Sequence, residues 1–498
     1  MPMTPRNPHY LLLTAVIVVL SACKHPLAIE GEGDIVDLNG SAHGCTLEEF
    51  QVQDVACTDN EVLTDYNVHY AAVPRAGWRF VRWENGCLAD STGDNCIISI
   101  PAAVVTQFDL DFPGLQLPAL TAVFELLEAG VLDLDNLPIY ANQEIPSYIQ
   151  EDNTGNNQIT DEGATLGRVL FYDRQLSVNN TIACASCHQQ DTAFSDPAVV
   201  SAGVNGQTGR HSMRLINARF AAERRMFWDE RANSVEDQST QPIQDHVEMG
   251  FSGEEGDPDI DDLIARMEGL DYYPTLFETA FGTATITENR MRLAIAQFVR
   301  SIQSFDSRYD EGLALNGGDE DATFPNFSAL EEQGRQLYMT NPRFNNASVR
   351  TGGGLGCNRC HRAPEFDISP GSDNNGVISV VGSDVLTDLS ITRSPSLRDL
   401  VDPQGQPNGP MMHDGSMATV ADVLAHYNDI ALNDNLDNRL RGDSPGNTGT
   451  GQQLNLTPQE TSAVEAFLLT LAGNNVYTDE RWSNPFDDEG NLVLIGGE

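Results

Sequence analysis

Apolar residues change their spacing along the chain, and the change separates two kinds of structure. Over residues 28 to about 127 they fall in short extended runs: Val68 to Val73, the alternating Trp78 to Trp83, Ile97 to Ile100 and Thr121 to Phe124. Clusters of Gly, Asp and Asn separate these runs, a pattern that predicts a small β-sandwich. From about residue 158 the apolar positions recur at helical spacing. Leu166, Val169, Leu170 and Phe171 make one stripe, and helices are expected over Ile260 to Leu270, Tyr273 to Phe281 and Thr287 to Phe305. Met291, Ile295, Phe298 and Ile302 share one side of the last of these. Further helices are predicted over Ser328 to Met339, Ala418 to Tyr427 and Pro458 to Leu471, with Thr457 capping the last and Glu460 three residues on. Long polar loops lie between them, such as Asn433 to Thr450. Loops of that length need an additional apolar element to organise a core around.

The cysteines supply that element. Cys184-Ala185-Ser186-Cys187-His188 and Cys357-Asn358-Arg359-Cys360-His361 are two copies of Cys-X-X-Cys-His, the attachment signature of c-type haem. Two thiols at i and i+3 can form thioethers to one porphyrin, and the adjacent histidine can then ligate the iron. Two covalently bound haem c groups are therefore expected, on Cys184, Cys187, Cys357 and Cys360, with His188 and His361 as axial ligands. The fold class follows: mainly α, two tandem cytochrome-c-like haem domains preceded by a small disulfide-stapled β-sandwich-like domain.

Nine cysteines are present, and the remaining five have other uses. Leu20-Ser21-Ala22-Cys23 follows an apolar run from Tyr10 to Leu20 that is too short to span a bilayer. It reads as a lipoprotein signal peptide over residues 1–22, with Cys23 lipidated after cleavage. Lys24 after that cysteine favours the outer membrane. The expected location is periplasmic, with membrane attachment by the lipid anchor only. Cys45, Cys57, Cys87 and Cys96 are an even number in an oxidising compartment, which argues for two disulfides. Four cysteines allow three connectivities. Neighbour pairing, Cys45–Cys57 and Cys87–Cys96, is the preferred one, and the spacings are not of the zinc-binding Cys-X2-Cys kind. The resulting division is 1–22 leader, 23–127 β domain, 128–157 linker, 158–310 and 311–475 haem domains, and 476–498 tail. With 28 basic and 73 acidic residues the formal charge is −45, which makes nucleic acid and anionic lipid headgroups poor partners and suits either a basic partner or a solubilising role.

Several strings resemble known families. Gly77-Trp78-Arg79-Phe80-Val81-Arg82-Trp83, Gly86-Cys87 and Ala122-Val123-Phe124-Glu125 are similar to bacterial surface repeat domains, which implies a spacer or docking module. Leu166 to Asp173, Phe227-Trp228-Asp229-Glu230-Arg231-Ala232, Gln241-Pro242-Ile243, Val247-Glu248-Met249, Ser394-Pro395-Ser396-Leu397-Arg398, Met412-His413-Asp414-Gly415 and Val423 to Tyr427 resemble the bacterial di-haem cytochrome c peroxidases, and within them the MauG branch. That resemblance implies a peroxide-reactive haem on His188 and an electron-storing haem on His361. It places Trp228 between them as an electron relay, and Gln238, Pro242 and Glu248 in the distal pocket. A carboxylate there can move a proton from one peroxide oxygen to the other. Taken alone, Trp228 would be a core aromatic and Glu248 a solvated acid. Tyr427 is the expected sixth ligand of the second haem, with Met412 the alternative and Met411 and Met417 further rivals.

Two departures from that family carry weight. Residues 189 to 210 contain no histidine, so no loop imidazole closes the first haem as in reductively activated peroxidases. His211 stands where the family has an asparagine serving an interdomain calcium ion, which puts calcium in doubt. The expected activity is that of an oxidoreductase using hydrogen peroxide. Its electrons would come from a small redox protein, or from Trp or Tyr side chains of a protein substrate, the latter favoured. The rivals are a non-enzymatic electron-transfer cytochrome, which would have both irons six-coordinate, and an adhesion protein led by the β module.

Overall fold

The structure is a computed structural model. It describes residues 23–493 apart from 40–42, 59–60, 63–65, 76–77, 88–94, 102, 105–117, 127–132, 135, 255, 369, 443–449 and 488–489. The leader lies outside the described residues. The chain forms two compact units, Met1–Val131 and Leu132–Glu498.

In the first unit two three-stranded sheets share a core. One has the order β1 (Leu27–Glu30), β6 (Leu120–Leu126), β4 (Trp78–Glu84), with β1 parallel and β4 antiparallel to β6. The other is the antiparallel trio β2 (Gly33–Asp37), β3 (Tyr66–Pro74), β5 (Asn95–Ile100). Inward and outward positions alternate on β3: Tyr66, Val68, Tyr70 and Ala72 turn inward, against Leu27, Ile29, Ala122 and Phe124. Cys45–Cys57 and Cys87–Cys96 are both bridged, as neighbour pairing expects.

The second unit is helical: α1 (Asp161–Tyr172), α2 (Val235–Ser239), α3 (Ile260–Glu268), α4 (Tyr272–Phe281), α5 (Glu288–Ser301), α6 (Arg308–Leu315), α7 (Ala329–Met339), α8 (Val420–Asn428) and α9 (Pro458–Leu469). Side chains of Thr160, Ser234, Thr287, Ser328, Thr419 and Thr457 cap their helices. Glu460 completes the capping box on α9.

One helix crossing occurs twice. Gly167 of α1 faces the Ala294 carbonyl and Phe298 of α5, and Gly334 of α7 faces the Ala463 carbonyl and Phe467 of α9. A Cβ at Gly167 would stand 2.1 Å from the Ala294 oxygen, and one at Gly334 would stand 1.8 Å from the Ala463 oxygen. Only glycine permits backbones this close. Both glycines open the same string, Gly-Arg-X-Leu-aromatic, at Gly167 to Phe171 and Gly334 to Tyr338. The arginine of each is buried, and the aromatic residue of each reaches a haem-motif cavity. Tandem haem domains are thus built on one repeated helix pair, which the sequence reading did not single out.

Two expected boundaries change. Residues 128–157, read as a linker, include Tyr140, which is fully buried in the core around α1 and donates its hydroxyl to the Arg481 carbonyl. In the stretch 476–498, read as a tail, Val476, Trp482 and Leu492 are buried in the core of the first haem domain. Arg168 donates to the Ser483 carbonyl at 2.6 Å, and Tyr172 donates to the Trp482 carbonyl at 2.6 Å. Isolated aromatics with partners more than 300 residues away leave no periodic signal.

Candidate haem and peroxide site

Each Cys-X-X-Cys-His motif begins with one short turn, Cys184–Ser186 and Cys357–Arg359. The turn brings both thiols and the histidine to one wall of a cavity. The His188 Nδ1 lies 3.2 Å from the Phe194 carbonyl oxygen, and the His361 Nδ1 lies 2.9 Å from that of Pro395. A carbonyl can only accept, so Nδ1 carries the proton and Nε2 keeps its lone pair. Burial lowers both imidazoles to about 4, which keeps them neutral, the form that binds iron. The Pro395 loop is itself fixed. Fully buried Arg398 donates two hydrogen bonds of 2.8 Å to Asp310 of α6 and another to the Pro364 carbonyl.

These features fit haem c at both places. Apolar walls surround each motif: Phe171, Ile182, Met249, Ile295 and Val299 in the first cavity, and Leu355, Leu400, Val423, Leu424 and Val464 in the second. Arg210, Arg214, Arg231 and Arg393 line the first cavity, and Arg393 and Arg439 the second. Guanidinium groups there suit the two carboxylates a haem carries. The sequence reading missed these arginines, because isolated cations in loops have no spacing to betray them.

Trp228 lines both cavities and is 8% exposed. Its indole N–H donates to the His211 carbonyl at 2.7 Å, and its own carbonyl accepts from Arg393 N–H at 2.7 Å. Arg210 joins Asp229 of the first half to Asp388 of the second, at 2.8 and 2.6 Å. The tryptophan is therefore gripped from both halves. His413 stacks edge-on to it at 6.3 Å, buried, with neither ring nitrogen hydrogen-bonded. His211 is a hydrogen-bonded loop residue: Nδ1 meets the Ala198 carbonyl at 3.0 Å.

Gln238, Pro242 and Glu248 all line the first cavity with His188. Glu248 rides on a loop held by the Asp245 carboxylate, which accepts from the Val247 and Glu248 N–H groups at 2.8 and 3.0 Å. Gly203 presses against that loop, where a Cβ would stand 2.1 Å from the Val247 oxygen. Burial, helped by Asp245 and opposed by Arg231, raises the Glu248 carboxyl to about 7. It can therefore take up and release a proton near neutrality.

Tyr427 and Met412 both line the second cavity, as does Met411. Asn375 lines the same cavity, its Nδ2 3.5 Å from the Met412 Sδ and its amide acting on the Tyr427 phenol. Burial pushes that phenol up, with Asn375 pulling the other way. Met412 sits at φ 71°, an uncommon conformation for a side-chain-bearing residue. Among the described residues there is no group of three or more His, Cys, Asp or Glu side chains suited to a metal ion.

The profile of the di-haem cytochrome c peroxidase family matches residues 161–318. The methylamine utilization protein MauG of Methylophilus methylotrophus is 29% identical over 325 residues, covering 64% of this chain and 84% of that protein. The cytochrome c551 peroxidase of Nitrosomonas europaea is 27% identical over 324 residues, covering 62% and 80%. The crystal structure of a MauG-like protein associated with microbial copper homeostasis superposes with a TM-score of 0.54 at 27% identity, covering 69% of this chain and 99% of that one. Over its helical unit the chain is similar to the di-haem cytochrome c peroxidases and the MauG proteins.

Proposed function

We propose that this chain reduces hydrogen peroxide in the cavity of His188 and Glu248 and draws the electrons through the cavity of His361, in the manner of MauG. Haem attached through Cys184 and Cys187, and through Cys357 and Cys360, would supply iron that binds the peroxide oxygen and exchanges electrons. Glu248 accepts the proton of the incoming peroxide and returns it to the departing oxygen, so that water leaves. Gln238 and Pro242 shape the space above the reacting oxygens. Trp228 carries the electron between the two cavities. Its N–H donates to a carbonyl, which cannot take the proton, so the indole keeps that proton throughout. Tyr427, with Met412 the alternative, would help His361 hold the iron of the second haem.

The observation that carries this reading is the raised carboxyl of Glu248 in one cavity with neutral His188, beside a tryptophan shared with the second cavity. The absence of histidine over residues 189–210 supports a first haem open in the ferric state. Tyr427 in the second cavity, together with that open face, favours Trp or Tyr side chains of a partner protein as the electron source over a small redox protein. A basic partner suits the formal charge of −45. Export as a lipoprotein anchored at Cys23 in the periplasm belongs to the same proposal. No helix among the described residues is long and apolar enough to cross a membrane.

Electron paramagnetic resonance of the ferric, haem-loaded protein tests the reading. One high-spin and one low-spin iron, with the high-spin signal lost on adding peroxide, are expected. Two low-spin irons indifferent to peroxide would instead mark an electron-transfer cytochrome.

A further inference from the structure

Asp173 ends α1 and is buried, 3% exposed. One oxygen of its carboxylate, Oδ2, accepts the hydroxyls of both Tyr272 and Tyr273, at 2.7 and 2.6 Å. The other, Oδ1, accepts the Gln175 N–H at 2.8 Å. The two phenol rings lie 4.6 Å apart, centroid to centroid. Tyr273 is fully buried in the core cluster against which Cys184 packs, while Tyr272 is half-buried beside Phe486. The pair therefore runs from the core behind the first haem motif, where Tyr273 feels the Cys184 thiol, toward the outside.

Several other phenols of this unit are tied differently, although Tyr477 also reaches a buried carboxylate, that of Asp399, at 3.2 Å. Tyr140, Tyr172 and Tyr338 donate to backbone carbonyls, which cannot take a proton. Tyr148 donates to Asp310, whose charge is already clamped by Arg398. Asp173 has no such clamp. The nearby Arg266 gives its hydrogen bonds to the Gln175, Ser177 and Val178 carbonyls and to Asn180. A tie between α4 and the end of α1 needs one hydrogen bond and no charge. Two phenols on one buried carboxylate oxygen make a proton acceptor for tyrosine oxidation, because a phenol that loses an electron must also lose its proton.

We propose that Tyr272, Tyr273 and Asp173 form a redox-active pair through which a small phenol delivers electrons to the peroxide site, separately from the Trp228 route. The inference rests on the peroxide chemistry proposed above. Tyr273 gives one electron toward the peroxide site and its hydroxyl proton to Asp173, leaving a neutral tyrosyl radical. Tyr272 refills Tyr273 by the same exchange on the shared oxygen. An external phenol then gives one electron to Tyr272 and its own proton to solvent, while Asp173 returns its proton to the tyrosine oxygen. Two such passages bring two electrons, and with two protons one hydrogen peroxide becomes two waters and two phenols become phenoxyl radicals.

The test is freeze-quench electron paramagnetic resonance of the haem-loaded protein mixed with one equivalent of peroxide. A tyrosyl signal is expected, narrowed by deuterated tyrosine and quenched by guaiacol. It should fall at least tenfold in the double variant Tyr272→Phe/Tyr273→Phe and in Asp173→Asn, with the peroxide-dependent change in haem absorption retained. Peptide mass mapping of the unaltered protein after peroxide without guaiacol should find oxidation at Tyr272, and this does not depend on any variant folding. A haem response with no tyrosyl signal, a signal unchanged in the double variant, or Tyr272 unmodified would overturn the pair while leaving the peroxide chemistry standing. No haem response at all would overturn both.

Discussion

At the scale of single residues, the proposed reaction turns on Glu248 for its proton chemistry. Its carboxyl is raised to about 7 because burial and Asp245 disfavour the charged form. Only the carboxylate can accept the peroxide proton, so the rate of reaction with peroxide should fall on acidification, with half the loss near pH 7. Stopped-flow absorbance between pH 5 and 9 would measure this. Glu248→Gln should slow the reaction by about 10²–10⁴-fold, the usual range for a positioned acid–base group, and flatten the pH profile. The ligand question is also decided by single side chains. Tyr427→Phe should change the near-infrared and resonance Raman signature of the second haem and leave the first unaltered, whereas Met412→Leu should leave both as they were. Haem signatures that shift only with Met412→Leu would assign the methionine instead.

At the scale of elements, much of the architecture was legible because it follows period and capping. Extended runs such as Tyr66–Pro74 and helical stripes in Glu288–Ser301 are local consequences of one buried face. The haem motifs were legible because three residues of two scarce types, cysteine and histidine, stand at fixed spacing. Trp228 and Glu248 were found only through the strings around them. What stayed hidden depends on contacts without period. Asn375, which reaches Met412 and acts on the Tyr427 phenol, is one polar residue in a loop. Trp482 reaches the first haem domain from the far end of the chain. The Gly167 and Gly334 crossings were also hidden, although their string is repeated in the sequence. Alanine at Gly334 would meet the Ala463 carbonyl, forcing the helices apart at a cost of about 1–3 kcal/mol. Denaturant unfolding of the haem-loaded protein would measure it, and an unchanged midpoint would remove the crossing from the account. Trp482→Ala should cost about 3–5 kcal/mol, read as earlier thermal loss of the first haem's absorbance.

At the scale of the whole molecule, the helical unit joins two haem motifs through one tryptophan, held by His211 from one half and by Arg393 from the other. The ion pairs of Arg210 with Asp229 and Asp388 tie the same halves together. Coupling between two unlike haem sites is therefore the central claim. The most direct measurement is rapid-scan absorbance after one equivalent of peroxide, following the band of the His361 haem in the unaltered protein and in Trp228→Phe. Both haems should respond together in the unaltered protein, and in the variant the His188 haem should respond while the His361 haem lags by an order of magnitude or more. Equal response of the second haem in the two proteins would contradict it.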